Sequence, residues 1–279
     1  MPNNSMKTLD ELIRDLGAVA GELAVGPCAI ALGGSHAKGV ADAQSDIDIY
    51  VFAESWLPDA ERVALLLQLL PNAAAARSWS APPEQAGTDF SLDGQEVEIW
   101  FRQLAPIAGV IERSVAGEAV RRYVTWTPNG YYEHCALADL TSLRVLADPE
   151  AVLTPLLERI AVYPPALRTT LIRHGLVSAG FWRNNFHLET ALARADSYYL
   201  QSIAQQIVTD LIQALFAINR AHFPGDKKLS THVGKLADVP EDFMARVEAV
   251  LGGEGSSAAW RARFAELYRL VDEVTALSA

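Results

Sequence analysis

The stretch ALGGSHAKGVADAQSDIDIYVF, residues 31–52, sets a polar run between two apolar ones and places two aspartates, Asp46 and Asp48, in the second. Ile47–Phe52 has the β-branched and aromatic content of a strand, in which successive side chains alternate between faces. Ile47, Ile49 and Val51 then share one face, and Asp46 and Asp48 the other. Two carboxylates about 6–7 Å apart on one sheet face raise each other's pKa and cost stability unless a cation lies between them. With no cysteine or clustered histidine nearby, the pair is a hard oxygen donor set that suits magnesium better than zinc. Magnesium in turn points to phosphate. Upstream, Gly33-Gly34-Ser35 ends an apolar strand over Cys28–Leu32 and opens a short helix through His36, Ala37 and Lys38. Glycines admit an anion close to the backbone, the first amides of a helix are free donors, and a serine adds a hydroxyl. Gly34 and Ser35 are therefore the phosphate-binding candidates.

Working outward, residues 6–24 carry Met6, Leu9, Leu12, Ile13, Leu16 and Val19 at helical spacing, with Gly26-Pro27 as the stop. Residues 59–70 predict a second helix. Asp93-Gly94 between two alternating segments predicts a hairpin over about residues 88–102. Helical patterning follows at 104–122, and Arg144–Leu146 reads as a last short strand before Asp148-Pro149. Beyond residue 150, amphipathic segments at 150–161, 165–182, 186–221, 240–251 and 256–277 predict a helical bundle. The predicted fold is α+β in two domains, residues 1–148 with a mixed sheet and residues 149–279 all helical. Trp79, Trp100, Trp126 and Trp182 are read as core or domain-interface residues.

Gly34-Ser35, a short spacer, then Asp46-Ile47-Asp48 on an apolar strand resemble the signature of the DNA-polymerase-beta-like nucleotidyltransferase superfamily. The α/β-then-helical layout looks like its small-molecule branch, which includes aminoglycoside and lincosamide nucleotidyltransferases. The motif resemblance spans about residues 28–102. Less specifically, RADSYY (194–199) and AINRAHFPGDKK (217–228) look like the helical domains of bacterial members. The resemblance implies a third carboxylate on a neighbouring strand. Glu98, central in Val97-Glu98-Ile99, is the choice, with Glu96 and Asp89 as alternates. Asp46, Asp48 and Glu98 would then be catalytic ligands of two Mg2+ ions, with an NTP, ATP foremost, as the donor of a nucleoside monophosphate. The acceptor would be a hydroxyl of a small molecule, with release of pyrophosphate. Many members use three aspartates, so a glutamate in third place leaves both metal ligand and general base open. Lys227 and Lys228 are further phosphate candidates, and Asp196, Tyr199 and Glu96 are acceptor or base candidates. Ordinary roles compete for each: a surface ion pair for Asp196, a core-edge aromatic for Tyr199, solvated lysines at a helix end. The alternatives are a nucleotide-binding regulatory module of the same fold, or transfer to a protein hydroxyl.

The net charge of −11 is uneven, since residues 1–150 carry 10 Lys/Arg against 21 Asp/Glu and residues 151–279 carry 13 of each. An acidic first half disfavours a long nucleic-acid substrate and suits bound divalent metals or a cationic acceptor such as an aminoglycoside, which would connect the protein with antibiotic resistance, while an acidic surface kept for solubility is the ordinary alternative. Cys28 and Cys135 are the only cysteines and have no metal or redox spacing. No apolar run suits a membrane span, and MPNNSMKTLDELIRDL lacks a signal-peptide layout, so no membrane partner and a cytoplasmic protein are expected. Gly33–Ala37 approaches the G-x-S-x-G serine elbow but lacks its last glycine, and that reading leaves the paired aspartates unexplained.

Overall fold

The computed structural model describes residues 8–42, 44–81, 85–125, 127–253 and 255–278, with only the backbone at Ala81. Met6 and Trp126 lie outside the described residues. In chain order, the first helix is Leu9–Glu22 (α1), followed by strand Ala24–Leu32 (β1) and the one-turn helix Gly34–Ala37 (α2). Strand Ile47–Trp56 (β2) and helix Asp59–Leu69 (α3) precede three strands, Ala73–Ala81 (β3), Gln85–Leu92 (β4) and Gln95–Gln103 (β5). Helix Leu104–Val115 (α4) leads to the two-residue strands Arg121–Arg122 (β6) and Tyr131–Tyr132 (β7), helix Ala136–Leu140 (α5) and strand Arg144–Ala147 (β8). The rest is helical: Thr154–Glu158 (α6), Pro165–Gly180 (α7), Phe186–Arg194 (α8), Ser197–Ile218 (α9), Leu229–Val233 (α10), Phe243–Leu251 (α11) and Ser257–Leu277 (α12).

The fold is α+β, as expected. Six strands form a mixed sheet in the order β3-β4-β5-β2-β1-β8, in which β2 and β5 run parallel and every other pairing is antiparallel. The parallel β2–β5 pair is possible because α3, β3 and β4 return the chain to the end where β2 begins. The β4–β5 hairpin turns at Asp93 and Gly94, both with positive φ (51° and 86°), the geometry of a type I′ turn. Ile47, Ile49 and Val51 on β2 and Val97, Ile99 and Phe101 on β5 are at most 1% exposed and share one core with Ile13, Leu16 and Ala20 of α1 and Leu66 of α3. α1 starts at a capping box in which Thr8 accepts from the Glu11 amide and Glu11 from the Thr8 amide.

Two compact units result, residues 1–112 with 139–162, and residues 113–138 with 163–279. A single break after residue 148 misses this interleaving. Residues 113–138 fall in the helical unit because Tyr132 and Cys135 pack in its core, while 139–162 supply β8 to the sheet. In the helical unit α9 is the central element, buried almost throughout from Leu200 to Ile218 and packed on α7, α8, α11 and α12.

Several local expectations also change. Gly26-Pro27 does not stop the chain. It lies inside β1 at a register irregularity between Val25 and Cys28, where Gly26 takes φ 84°. β3 has no counterpart in the sequence pattern, because its run of alanines at 73–76 has no strand signature. The pattern at 104–122 helicalises only to Val115, after which Gly117 turns at φ 86° and Arg121–Arg122 pair with Tyr131–Tyr132. Residues 150–161 form only α6, because the Asp148 carboxylate takes the amides of Val152 (2.8 Å) and Thr154 (2.7 Å). The segment 186–221 is two helices, broken where Ala195 adopts φ 51° and Asp196 caps α9. Cys28 and Cys135 are in no disulfide, and among the described residues no helix is long and apolar enough to cross a membrane.

One buried cation ties the far half of the sheet to α3. Arg62, 1% exposed, donates to Thr88 Oγ1 (3.1 Å), the Leu57 carbonyl (2.9 Å), Asp59 Oδ1 (3.0 Å) and the carbonyls of Trp79 and Gly87 (both 3.2 Å). Removing it strands several buried acceptors, each costing about 1–3 kcal/mol. Arg62→Ala is therefore expected to lower the unfolding free energy by about 3 kcal/mol or more. A urea titration of both proteins measures it, and a change below about 1 kcal/mol would contradict the assignment.

Candidate active site

Asp46 stands immediately before β2, Asp48 is its second residue, and Glu98 lies on β5 directly opposite Asp48 in the parallel register. Each is half-buried, and one carboxylate oxygen from each lies within 4.8 Å of the others, the only such acidic, histidine or cysteine group found among the described residues. The alternation read from the sequence produces this. With Ile47, Ile49, Val97 and Ile99 turned into the core, Asp48 and Glu98 must emerge on the opposite face. The loop ahead of Asp46 is fixed as well. Ser45 bonds Asp42 through both backbone and side chain, and Gln95 of β5 donates to the Ser45 carbonyl at 2.8 Å.

This clustering is electrostatically expensive. Burial, then the charges of Asp46 and Glu98, push the Asp48 carboxyl up to about 7 from an ordinary 3.8, partly offset by Lys38. Glu98 is also raised, chiefly by burial, although a hydrogen bond from Trp100 Nε1 to its Oε2 (3.0 Å) acts in the opposite direction. Lys38 itself pairs with Asp139 at 3.7 Å.

The Gly33–Lys38 turn wraps this cluster. The Gly33 amide donates to the Asp48 carbonyl at 2.9 Å, and a Cβ on Gly34 would lie 1.7 Å from Asp48 Oδ2 at a backbone φ of 59°. Only glycine fits there, on both space and conformation. Ser35 Oγ is buried beside it with no hydrogen-bond partner, and so is His36 Nε2. A buried hydroxyl without a partner is costly unless a ligand completes it. Three clustered carboxylates, two of them (Asp48 and Glu98) raised by burial and neighbouring charge, and an orphaned hydroxyl next to a side-chain-free turn fit a divalent cation with an attached anionic group.

Neither alternate for the third carboxylate belongs to the cluster. Asp89, opposite Glu98 on β4, pairs with Arg77 at 3.1 Å and accepts from Trp79 Nε1. Glu96 is exposed and faces Ser91. Asp196, Tyr199, Lys227 and Lys228 belong to the helical unit, where the structure gives them local surroundings. Asp196 accepts from the Tyr199 amide as the cap of α9, Tyr199 packs edge-on to Trp182, and Lys227 and Lys228 are exposed ahead of α10. Sequence reasoning missed Trp100. It is half-buried on the carboxylate face rather than in the core, and its position two residues after Glu98 on one strand was the available signal.

Two outcomes follow from the buried charge. Because the folded state holds the Asp48 proton up to about pH 7 and the unfolded chain releases it near 3.8, metal-free protein should lose stability as pH rises across that interval and level off above it. The full shift corresponds to at most about 4 kcal/mol, less once solvent screening is allowed for. Asp48→Asn should remove this slope and stabilise the EDTA-treated protein by about 1–3 kcal/mol at pH 8, as thermal melts from pH 4 to 8 will show. Gly34→Ala is expected to cost about 1–3 kcal/mol from backbone strain and to drive Asp48 from its place. A melting temperature equal to wild type would contradict the close approach.

Comparison with known proteins agrees with the chemistry of this region. Residues 22–77, which include Gly34, Ser35, Asp46 and Asp48 but not Glu98, match the nucleotidyltransferase domain family. Residues 131–229 match a domain family of unknown function, DUF4037. No curated protein matches the chain. Among solved structures, a nucleotidyltransferase-like protein from Exiguobacterium sibiricum 255-15 is similar over 94% of this chain and 73% of its own, with 12% identity and a TM-score of 0.47. The segment that carries the glycine-serine turn and both aspartates is thus similar to nucleotidyltransferase domains.

Proposed function

We propose that the protein is a magnesium-dependent nucleotidyltransferase that moves a nucleoside monophosphate from an NTP to a hydroxyl of a small molecule. The observation that carries this reading is the convergence of Asp46, Asp48 and Glu98 within 4.8 Å beside the Gly34-Ser35 turn. Asp46, Asp48 and Glu98 would hold two Mg2+ ions, which when bound supply charge neutralisation for the triphosphate and a lowered pKa for the attacking hydroxyl. Gly34 lets the turn close directly on Asp48, and the unpartnered Ser35 Oγ would donate to a phosphate oxygen. In the transfer, the acceptor oxygen bonds the α-phosphorus as the bond from that phosphorus to the β-phosphate bridging oxygen breaks. Pyrophosphate leaves, and the acceptor proton passes to a site carboxylate, for which burial-raised Glu98 is suited. The acidic excess of the first 150 residues supports a cationic acceptor over a long nucleic acid, and an aminoglycoside-like amino sugar is the class it favours.

The test is to incubate the full chain with magnesium, each NTP labelled at the α-phosphate, and a panel of aminoglycosides, lincosamides and amino alcohols. Label is expected to move onto a cationic acceptor, with Asp48→Asn lowering the rate by roughly 10³-fold, as loss of several kcal/mol of charge stabilisation requires. Magnesium-dependent NTP binding without transfer to any acceptor would assign a nucleotide-binding module instead. Absence of NTP binding would end the reading.

A further inference from the structure

Glu98 differs from the two aspartates in needing an external constraint. Its side chain has one more rotatable bond, and a carboxylate free to swing would hold neither a metal nor a proton at a fixed point. Trp100 supplies the constraint. Its Nε1–H points at Glu98 Oε2 at 3.0 Å, and since an indole nitrogen only donates, the bond has one sense. The indole is itself immobilised. Trp79 packs edge-on against it, with ring centroids 5.0 Å apart at 77°, and Tyr50 lies nearly parallel at 6.4 Å. The Arg102 guanidinium lies 5.7 Å from its centroid. Trp79 reaches that position only because residue 87 is glycine: a Cβ there would fall 2.3 Å from the indole ring. Trp79 is tied further by its Nε1 bond to Asp89 at 3.4 Å.

We propose that Trp100, locked by the Trp79–Gly87 contact, is a positioning residue that fixes the Glu98 carboxylate for metal binding. The inference rests on the metal-binding reading of Asp46, Asp48 and Glu98, and goes beyond it by placing the precision of the third ligand in the neighbouring aromatic row. Removing an outer partner of a metal ligand typically costs about 10–100-fold in affinity.

The experiment uses Mn2+ alone as probe, with free Mn2+ followed by electron paramagnetic resonance in titrations of the full chain. Trp100→Phe keeps a ring but loses the donor, and is expected to weaken Mn2+ binding by about tenfold. Trp100→His, which restores an N–H, should recover most of the loss. In a Glu98→Gln background, Trp100→Phe should have no further effect, because the residue acts through Glu98. Unchanged affinity in Trp100→Phe, or an equal loss in both backgrounds, would overturn the proposal and leave the tryptophan a packing residue. Trp79→Leu, which keeps the Trp100 donor but frees its ring, serves if Trp100→Phe does not fold. A loss of about two- to threefold confined to the Glu98-containing protein supports the proposal, and no loss opposes it. Failure of the underlying reading looks different: wild type would not bind Mn2+, or Asp46→Asn/Asp48→Asn would bind it equally well.

Discussion

Mutual repulsion of Asp46, Asp48 and Glu98 is the constraint around which the sheet-bearing unit is organised. Carboxylates within 4.8 Å of one another oppose the pairing of β2 with β5, and yet that pairing is what brings them together. The opposite face of the same two strands decides the balance. Ile47, Ile49, Val51, Val97, Ile99 and Phe101 are fully buried there, each contributing about 1.5–3 kcal/mol, against an electrostatic penalty of about 4 kcal/mol at most for Asp48. The hydrophobic face wins by a wide margin, so the charges are held in place without a ligand, and a bound cation would find its donors already arranged.

The surroundings of the cluster carry the same logic outward. Directly against Asp48, the chain turns on a glycine with no room for a side chain, and the Ser35 hydroxyl beside it is buried without a hydrogen-bond partner. Beyond Glu98, the face changes from acidic to aromatic, through Trp100, Tyr50 and Trp79. Acidic residues, a glycine turn and aromatic rings thus lie side by side on one region of the sheet-bearing unit. Arg62 plays the corresponding part beneath the sheet. Its guanidinium satisfies the carbonyls of Trp79 and Gly87, the two residues that meet beside Trp100.

Most of the site was legible along the chain because it is local. The spacing of Asp46 and Asp48, the glycine-serine turn and the Asp93-Gly94 hairpin each depend on neighbours a few residues apart, for which strand alternation and turn chemistry are sufficient guides. Glu98 could be chosen over Glu96 and Asp89 only through its central place between the apolar Val97 and Ile99. The misreadings share a cause. Gly26-Pro27 reads as a breaker but is accommodated as an irregularity of β1, the alanines of β3 read as nothing until an edge position is available to them, and the run from 186 to 221 reads as one helix until Ala195 turns. In each case tertiary surroundings overrode a local tendency of at most about 3 kcal/mol per residue.

By itself, the sequence determined that two carboxylates share a strand face opposite an apolar one, that a glycine-serine turn precedes them, and that a sheet-bearing segment is followed by helices. These are consequences of periods two and 3.6 and of glycine's conformational range, and they need no knowledge of distant contacts. Only the tertiary structure decided that β5 lies parallel to β2 with Glu98 opposite Asp48, that Asp89 is taken by Arg77, that Trp100 grips Glu98, and that residues 113–138 leave the sheet unit while 139–162 return to it. Those outcomes depend on which strands become neighbours, and strand neighbours are selected by burial summed over the whole core, a quantity no short window of sequence contains.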